Sequence, residues 1–240
     1  MARIALLYPT RNAGEDDFTS LAGRLRPALD LEVRYFPWPA DVGDLSTTDV
    51  STVADAVRRL GSDEHLTQVI PGLAAGFDVV AFAVTSASFL VDPDHQLLTV
   101  SRLTGAPATS TTRAFQQAIH VLDLDKVALA SVYHPSFSDH FISRLDVHVV
   151  NRVDASVGSD RQLAAWSADQ IVDLVAEAAH PQAQAVLLPE TALHTSGLTA
   201  ELERAAGCPV LTATQVTLWS AARLLDLHPA APDAGPLFRR

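Results

Sequence analysis

A chain of 240 residues, 48% of them hydrophobic, is long enough to bury one large core or two small ones. Its formal net charge of -11, with Lys126 as the one lysine, excludes a phosphate-neutralising surface and so a nucleic-acid partner. The single cysteine, Cys208, excludes an internal disulfide, and no run approaches the ~20 apolar residues of a membrane span, so the chain reads as cytoplasmic with no membrane partner.

From the start, Ile4 to Tyr8 is an apolar run ended by Pro9, too short for a leader peptide and suited to a first strand. Further strand candidates follow at Leu31 to Phe36, Val79 to Val84, Ala106 to Thr109, Val127 to Ser131, Val147 to Val150, Ala185 to Leu188 and Cys208 to Leu211. Between them lie stripes of helical period, such as Phe115, Ala118, Ile119 and Leu122, or Leu163, Trp166, Ile171, Leu174 and Val175. Strands alternating with helices imply a parallel sheet covered on both faces.

An internal repeat divides the chain. GAPATSTT at 105–112, followed by a helical stripe, recurs as GCPVLTAT at 207–214, followed by Leu218, Ala221, Ala222 and Leu225. RIALLYP at 3–9 likewise resembles KVALASVYHP at 126–135. A spacing of this length means a duplicated domain, since solenoid units run to ~20–50 residues. The expected fold is α/β, with two pseudo-symmetric, flavodoxin-like parallel-sheet halves. Residues 1–110 form the first and 111–212 the second; a helix at 213–227 packs back on the first, and 228–240 is a tail.

Ligands of open parallel sheets sit beyond the carboxyl ends of the strands, so two such halves should present equivalent turns to one shared cleft. In the first half the turn is Val84 to Ser88; in the second it is Pro189 to Leu193, which makes Val84 and Glu190 counterparts. The nine histidines form no HExxH or other closely spaced ligand set, and no glycine-rich phosphate loop is present, so neither a metal nor a nucleotide cofactor is expected.

Pro9-Thr10-Arg11-Asn12 after the first strand, Thr85 to Phe89 after the third, Tyr133 after the fifth, and Gly207 to Pro209 with Leu218 and Trp219 near the end together resemble the aspartate/glutamate racemase superfamily, in particular its maleate isomerase and arylmalonate decarboxylase branch. The resemblance implies chemistry without a cofactor on a small carboxylate, in a chain that pairs with itself as a homo-oligomer. It places a catalytic cysteine in each half, and here Val84 and Glu190 stand in those two positions. Valine cannot carry a proton, which removes two-base racemisation and thiol addition. Glu190 remains able to act as a single general acid or base.

The resemblance further implies Tyr133 as a catalytic phenol, with Val84, Thr85, Ser86, Thr191, Ala192 and Asn12 around the substrate; Arg11, His134 and His194 are further candidates. Thr85 and Ser86 are equally suited to capping a helix, and Glu190 to the first turn of a helix beginning near Thr191. Cys208 reads as a buried, inert thiol on the last strand. The apolar neighbours Leu187, Leu188, Pro189, Ala192 and Leu193 should raise the pKa of Glu190 above the ordinary glutamate range. The leading expectation is a decarboxylase-like lyase or isomerase with one-base proton transfer. The alternatives are a hydratase or hydrolase in which Glu190 activates water, and a carboxylate-binding protein without catalysis.

Overall fold

The computed structural model describes residues 2–43 and 49–239. Its first half runs β1 (Arg3–Tyr8), α1 (Glu15–Arg24), β2 (Asp30–Tyr35), α2 (Val50–Leu60), α3 (Asp63–Val69), β3 (Val79–Phe82), α4 (Thr85–Phe89), α5 (Pro93–Thr104) and β4 (Ala108–Ser110). The second continues with α6 (Thr111–Val121), β5 (Lys126–Ser131), α7 (Pro135–Ile142), β6 (His148–Asp154), α8 (Asp160–Ala164), α9 (Ala168–Ala178), β7 (Ala185–Leu188), α10 (Thr199–Ala206), β8 (Val210–Thr212) and α11 (Ala213–Arg223). Within the two sheets the described pairings are all parallel, in the orders β2-β1-β3-β4 and β6-β5-β7-β8.

The inner strands are apolar on both faces because helices cover both. β3 and β7 are buried at every position, while the edge strands β2 and β6 are only partly so. The repeat seen in the sequence recurs in the backbone. Gly105 and Gly207 both end a helix in the left-handed region, at φ 71° and 68°, where a side chain would be strained. Two residues on, Pro107 and Pro209 each accept a hydrogen bond on their carbonyl from the next strand, from Val80 at 3.0 Å and Val186 at 2.9 Å. Proline costs nothing there, since its missing N–H is not called on. Ser110 and Thr212 then cap α6 and α11 through their hydroxyls.

α11 packs against α6, α1 and the strands β3 and β4, so the last helix lies back on the first sheet. Its contact with α6 is polar at the centre. Thr111 and Thr217 hydroxyls lie 3.0 Å apart, and the Ser220 hydroxyl lies 2.6 Å from both Thr109 and Gln117. The halves are also joined by buried Asp17 of α1. It accepts from the Thr195 and Ser196 N–H groups and from the Thr214 hydroxyl, at 2.9–3.1 Å.

Three local expectations need correction. The stripe from Leu163 to Val175 is two helices, α8 and α9, because Ser167 opens a new capping box with Gln170. No helix begins near Thr191; residues 191–198 form turns, and α10 starts at Thr199. Cys208 lies just ahead of β8 and is half-buried, with its thiol pKa raised by that burial. No helix among the described residues is long and apolar enough to cross a membrane.

Candidate functional site

In each sheet the chain turns outward in opposite directions from two adjacent central strands, β1 and β3 in one half and β5 and β7 in the other. Loops leaving these strands diverge, and a crevice opens at their carboxyl ends. The two crevices face each other as one cavity of about 710 Å³. Its floor is made by the residues that follow the four strands: Tyr8 to Thr10, Ala83 to Ser86, Tyr133, and Glu190 with Thr191. Apolar walls come from Trp38 and Val42, Val53 and Val57 of α2, Phe137 of α7, and Val157 and Leu163 around α8.

Glu190 is 5% exposed on this floor. Its Oε1 accepts from the Ala192 N–H at 2.7 Å, which turns the side chain back over its own loop. Burial pushes its pKa up to about 7, and the negative charge of Asp160 adds to the rise; the Ala192 N–H and the Tyr133 hydroxyl favour the carboxylate and oppose it. The turn is held from the first half as well. Gly14, at φ 97°, lets the backbone ahead of α1 approach so closely that a Cβ there would lie 2.7 Å from the Ala192 Cα. The Tyr8 hydroxyl lies 3.1 Å from the Thr191 carbonyl and 2.5 Å from that of Ala13.

Tyr133 donates to the Pro189 carbonyl at 2.8 Å and lies between Phe89, edge-on at 5.6 Å, and Phe137, stacked at 6.2 Å. Burial, and then the charge of Glu190, raise its pKa well above the usual phenol value, so at neutral pH it is a hydrogen-bond donor. Asp160, the first residue of α8, lines the same cavity. It accepts from the Thr10 hydroxyl of the first half at 3.2 Å, and Thr10 in turn accepts from the Trp38 indole N–H at 3.2 Å. Desolvation raises its pKa, against the Thr10 bond.

Val84, Thr85 and Ser86, at the start of α4, line the same cavity, with Thr85 beside the Tyr133 hydroxyl. Val84 is apolar and 7% exposed. The Thr85 Oγ1 is buried without a hydrogen-bond partner among the described residues, a state that costs ~1–3 kcal/mol unless something else fills it. The cavity therefore brings a carboxyl pair and a hydroxyl short of a partner onto one lining.

Glu190, Tyr133, Val84, Thr85, Ser86 and Thr191 are thus brought together on one wall-and-floor surface. The other sequence candidates are not among the lining residues. The Ala192 N–H is already taken by Glu190. Asn12 is exposed at φ 56° and donates its N–H to Glu15, a carboxylate that also accepts from Ala13 and Tyr35. Arg11 lays its guanidinium 3.8 Å over the Tyr35 ring. His134 caps α7, and His194 pairs with Asp16 at 2.9 Å. Asp160, Tyr8 and Trp38 were not anticipated. The one usable signal for Asp160 is a Ser-Asp pair just beyond the sixth strand, where equivalent turns of the other strands also carry site residues.

Among the described residues no three His, Cys, Asp or Glu side chains gather into a metal-ligating set. The family model for arylmalonate decarboxylase matches residues 46–238, most of the chain. No curated protein matches in sequence. Among solved structures, a doubly substituted arylmalonate decarboxylase in its liganded form superposes with a TM-score of 0.74 at 23% identity, covering 99% of both chains. The Nocardia farcinica maleate cis-trans isomerase with a covalently bound succinylcysteine intermediate gives 0.81 at 19% identity, covering 99% of this chain and 98% of that one. The maleate isomerase of Pseudomonas putida S16 with maleate gives 0.79 at 15%, covering 99% and 97%.

Proposed function

The chain belongs to the arylmalonate decarboxylase family, and on that premise we propose that it is a cofactor-independent lyase or isomerase that moves one proton at the carbon beside a bound carboxylate. The observation that carries this reading is Glu190, a buried carboxyl on the cavity floor with its pKa near 7, sharing the cavity with a buried hydroxyl short of a partner, while its first-half counterpart Val84 carries no acid. A general acid or base works best when its pKa lies near the working pH, and burial has brought Glu190 there. Thr85 and Ser86 are the groups that would hold the substrate carboxylate and the charge that develops on it as an enediolate. Tyr133 stays protonated and fixes the Pro189 carbonyl, and with it the turn from which Glu190 projects.

Decarboxylation followed by protonation asks for Glu190 alone: carbon dioxide leaves, and the acid delivers its proton to the carbanion from one face. Removal or addition of water is the second reading, favoured by Asp160, which gives the cleft a second carboxyl able to exchange a proton with a leaving or entering oxygen. The test is incubation in D₂O with phenylmalonate, maleate and simple 2- and 3-hydroxycarboxylates, followed by proton NMR. Turnover or carbon-bound deuterium incorporation that depends on Glu190 supports the reading; activity retained by Glu190→Gln contradicts it.

A further inference from the structure

The acidic side of the cavity constrains the ligand. Asp160 and Glu190 line it together, and Tyr8 and Tyr133, the other titratable groups there, are phenols held neutral with pKa values well above the usual range. Arg161 is the one cation on the lining and is exposed at the rim, where water and salt screen it. A second carboxylate brought to this side would meet two acids and a screened arginine. A hydroxyl or amino group would instead find acceptors: Asp160 is oriented by Thr10, the one side chain among the described residues that donates to it, and a carboxylate can accept about four hydrogen bonds. The buried Thr85 Oγ1, beside the Tyr133 hydroxyl on the same lining, has no hydrogen-bond partner within bonding geometry among the described residues and independently marks a place for a ligand oxygen.

We propose that the cleft takes a monocarboxylate whose second polar group is a hydrogen-bond donor, and that Asp160 selects for that donor. This rests on the reading above that Thr85 and Ser86 hold the carboxylate. It departs from the dicarboxylates named for the relatives and accords with the second reading above, removal or addition of water, rather than with loss of carbon dioxide from a malonate: the acidic pair disfavours a dianion, whereas a 2-hydroxy or 2-amino acid sets its carboxylate on Thr85, its reacting carbon toward Glu190 and its donor on Asp160. The apolar wall of Trp38, Val53, Val57 and Phe137 takes the remaining substituent.

Calorimetric titration at pH 8 with mandelate, phenylglycine, phenylacetate and phenylmalonate tests this without knowledge of the reaction. Mandelate or phenylglycine is expected to bind at least tenfold tighter than both phenylacetate and phenylmalonate. Asp160→Ala should erase the advantage over phenylacetate, and the isosteric Asp160→Asn should tighten phenylmalonate at least fivefold. Thr85→Val serves as the separate check on the carboxylate position and should weaken every ligand together. If Thr85→Val weakens all four while phenylmalonate is the tightest binder, this inference falls and the carboxylate cradle stands; if Thr85→Val changes none of them, the cradle itself falls. Phenylmalonate affinity that collapses in Arg161→Ala, or no binding by any of the four at millimolar concentration, also overturns the proposal.

Discussion

The two turns that face each other across the cleft are built on the same plan and carry opposite chemistry. Each leaves a fully buried central strand of a four-stranded parallel sheet. In the first half the turn enters a short helix directly, so Val84 to Ser86 present one apolar side chain and two hydroxyls. In the second half no helix follows until Thr199, and the intervening turns fold the Glu190 carboxyl back onto the Ala192 N–H. Asp160 lines the cavity with it and has no acidic counterpart among the described first-half lining residues. A duplicated scaffold has thus kept its backbone symmetry while its buried carboxyls among the described lining residues come from the second half. On the proposed reading, two-sided exchange is closed to such a site, and one-sided delivery is not.

The largest effect that could break this asymmetry lies at Glu190. Glu190→Gln should lower turnover by ~10²–10⁴-fold, the usual contribution of a positioned acid or base, measured as kcat on whichever carboxylate the D₂O experiment identifies. In the wild-type protein, if Glu190 delivers the proton, kcat should fall as the pH rises through about 7, where the group ionises. A rate that rises through the same pH would assign it the role of base.

The same substitution should affect stability in the opposite sense. Between the ordinary glutamate range and pH 7 the folded protein holds a proton that the unfolded chain has released, so folding stability falls as pH rises through that window. Removing the charge by Glu190→Gln should therefore stabilise the protein at pH 8 by ~1–3 kcal/mol and leave it little changed at pH 4. Denaturant titrations at the two pH values check this. Equal stability of the two proteins at pH 8 would mean that the carboxylate is already well accommodated.

Smaller effects are expected on the hydroxyl wall. Thr85→Val and Tyr133→Phe should each weaken substrate or product-analogue binding or turnover by ~1–3 kcal/mol, the cost of one missing hydrogen bond to a buried charged group. Thr85→Val also removes a buried oxygen whose hydroxyl neighbour, Tyr133, already donates to Pro189, so the empty protein should lose little stability. Val84→Cys should matter least. It places a thiol at the first-half position and should leave the native reaction roughly unchanged if, as proposed, no proton moves on that face.

How much of this was legible follows from range. All eight strands, the repeat and the equivalence of Val84 with Glu190 are local patterns: apolar runs, a Gly-x-Pro junction and a capping hydroxyl, each enforced by its own few residues. Glu190, Tyr133, Thr85 and Ser86 inherit their place from the strand ends. Asp160 is not legible locally because its place on the cavity lining depends on Thr10 and Glu190, 150 and 30 positions away in the chain. Conversely, Asn12 and Arg11 follow a strand end and still leave the cavity wall. The positive φ at Asn12 and the Glu15 carboxylate turn that loop onto α1 and Tyr35. The binary choice at Thr191, helix or turn, was settled by Asp17 gathering the Thr195 and Ser196 amides, another contact between distant segments.

The asymmetry is tested most directly by a carboxyl ¹³C NMR titration of the protein labelled at glutamate, with Glu190→Gln used to assign the resonance. Predicted is one glutamate carboxyl with a midpoint near 7, absent from the variant and moving toward the ordinary range when Asp160→Asn removes the neighbouring charge. Should every glutamate titrate with a midpoint around 4 to 5, Glu190 would be an ordinary ionised carboxylate at neutral pH, and the one-sided proton-carrying site described here would be contradicted.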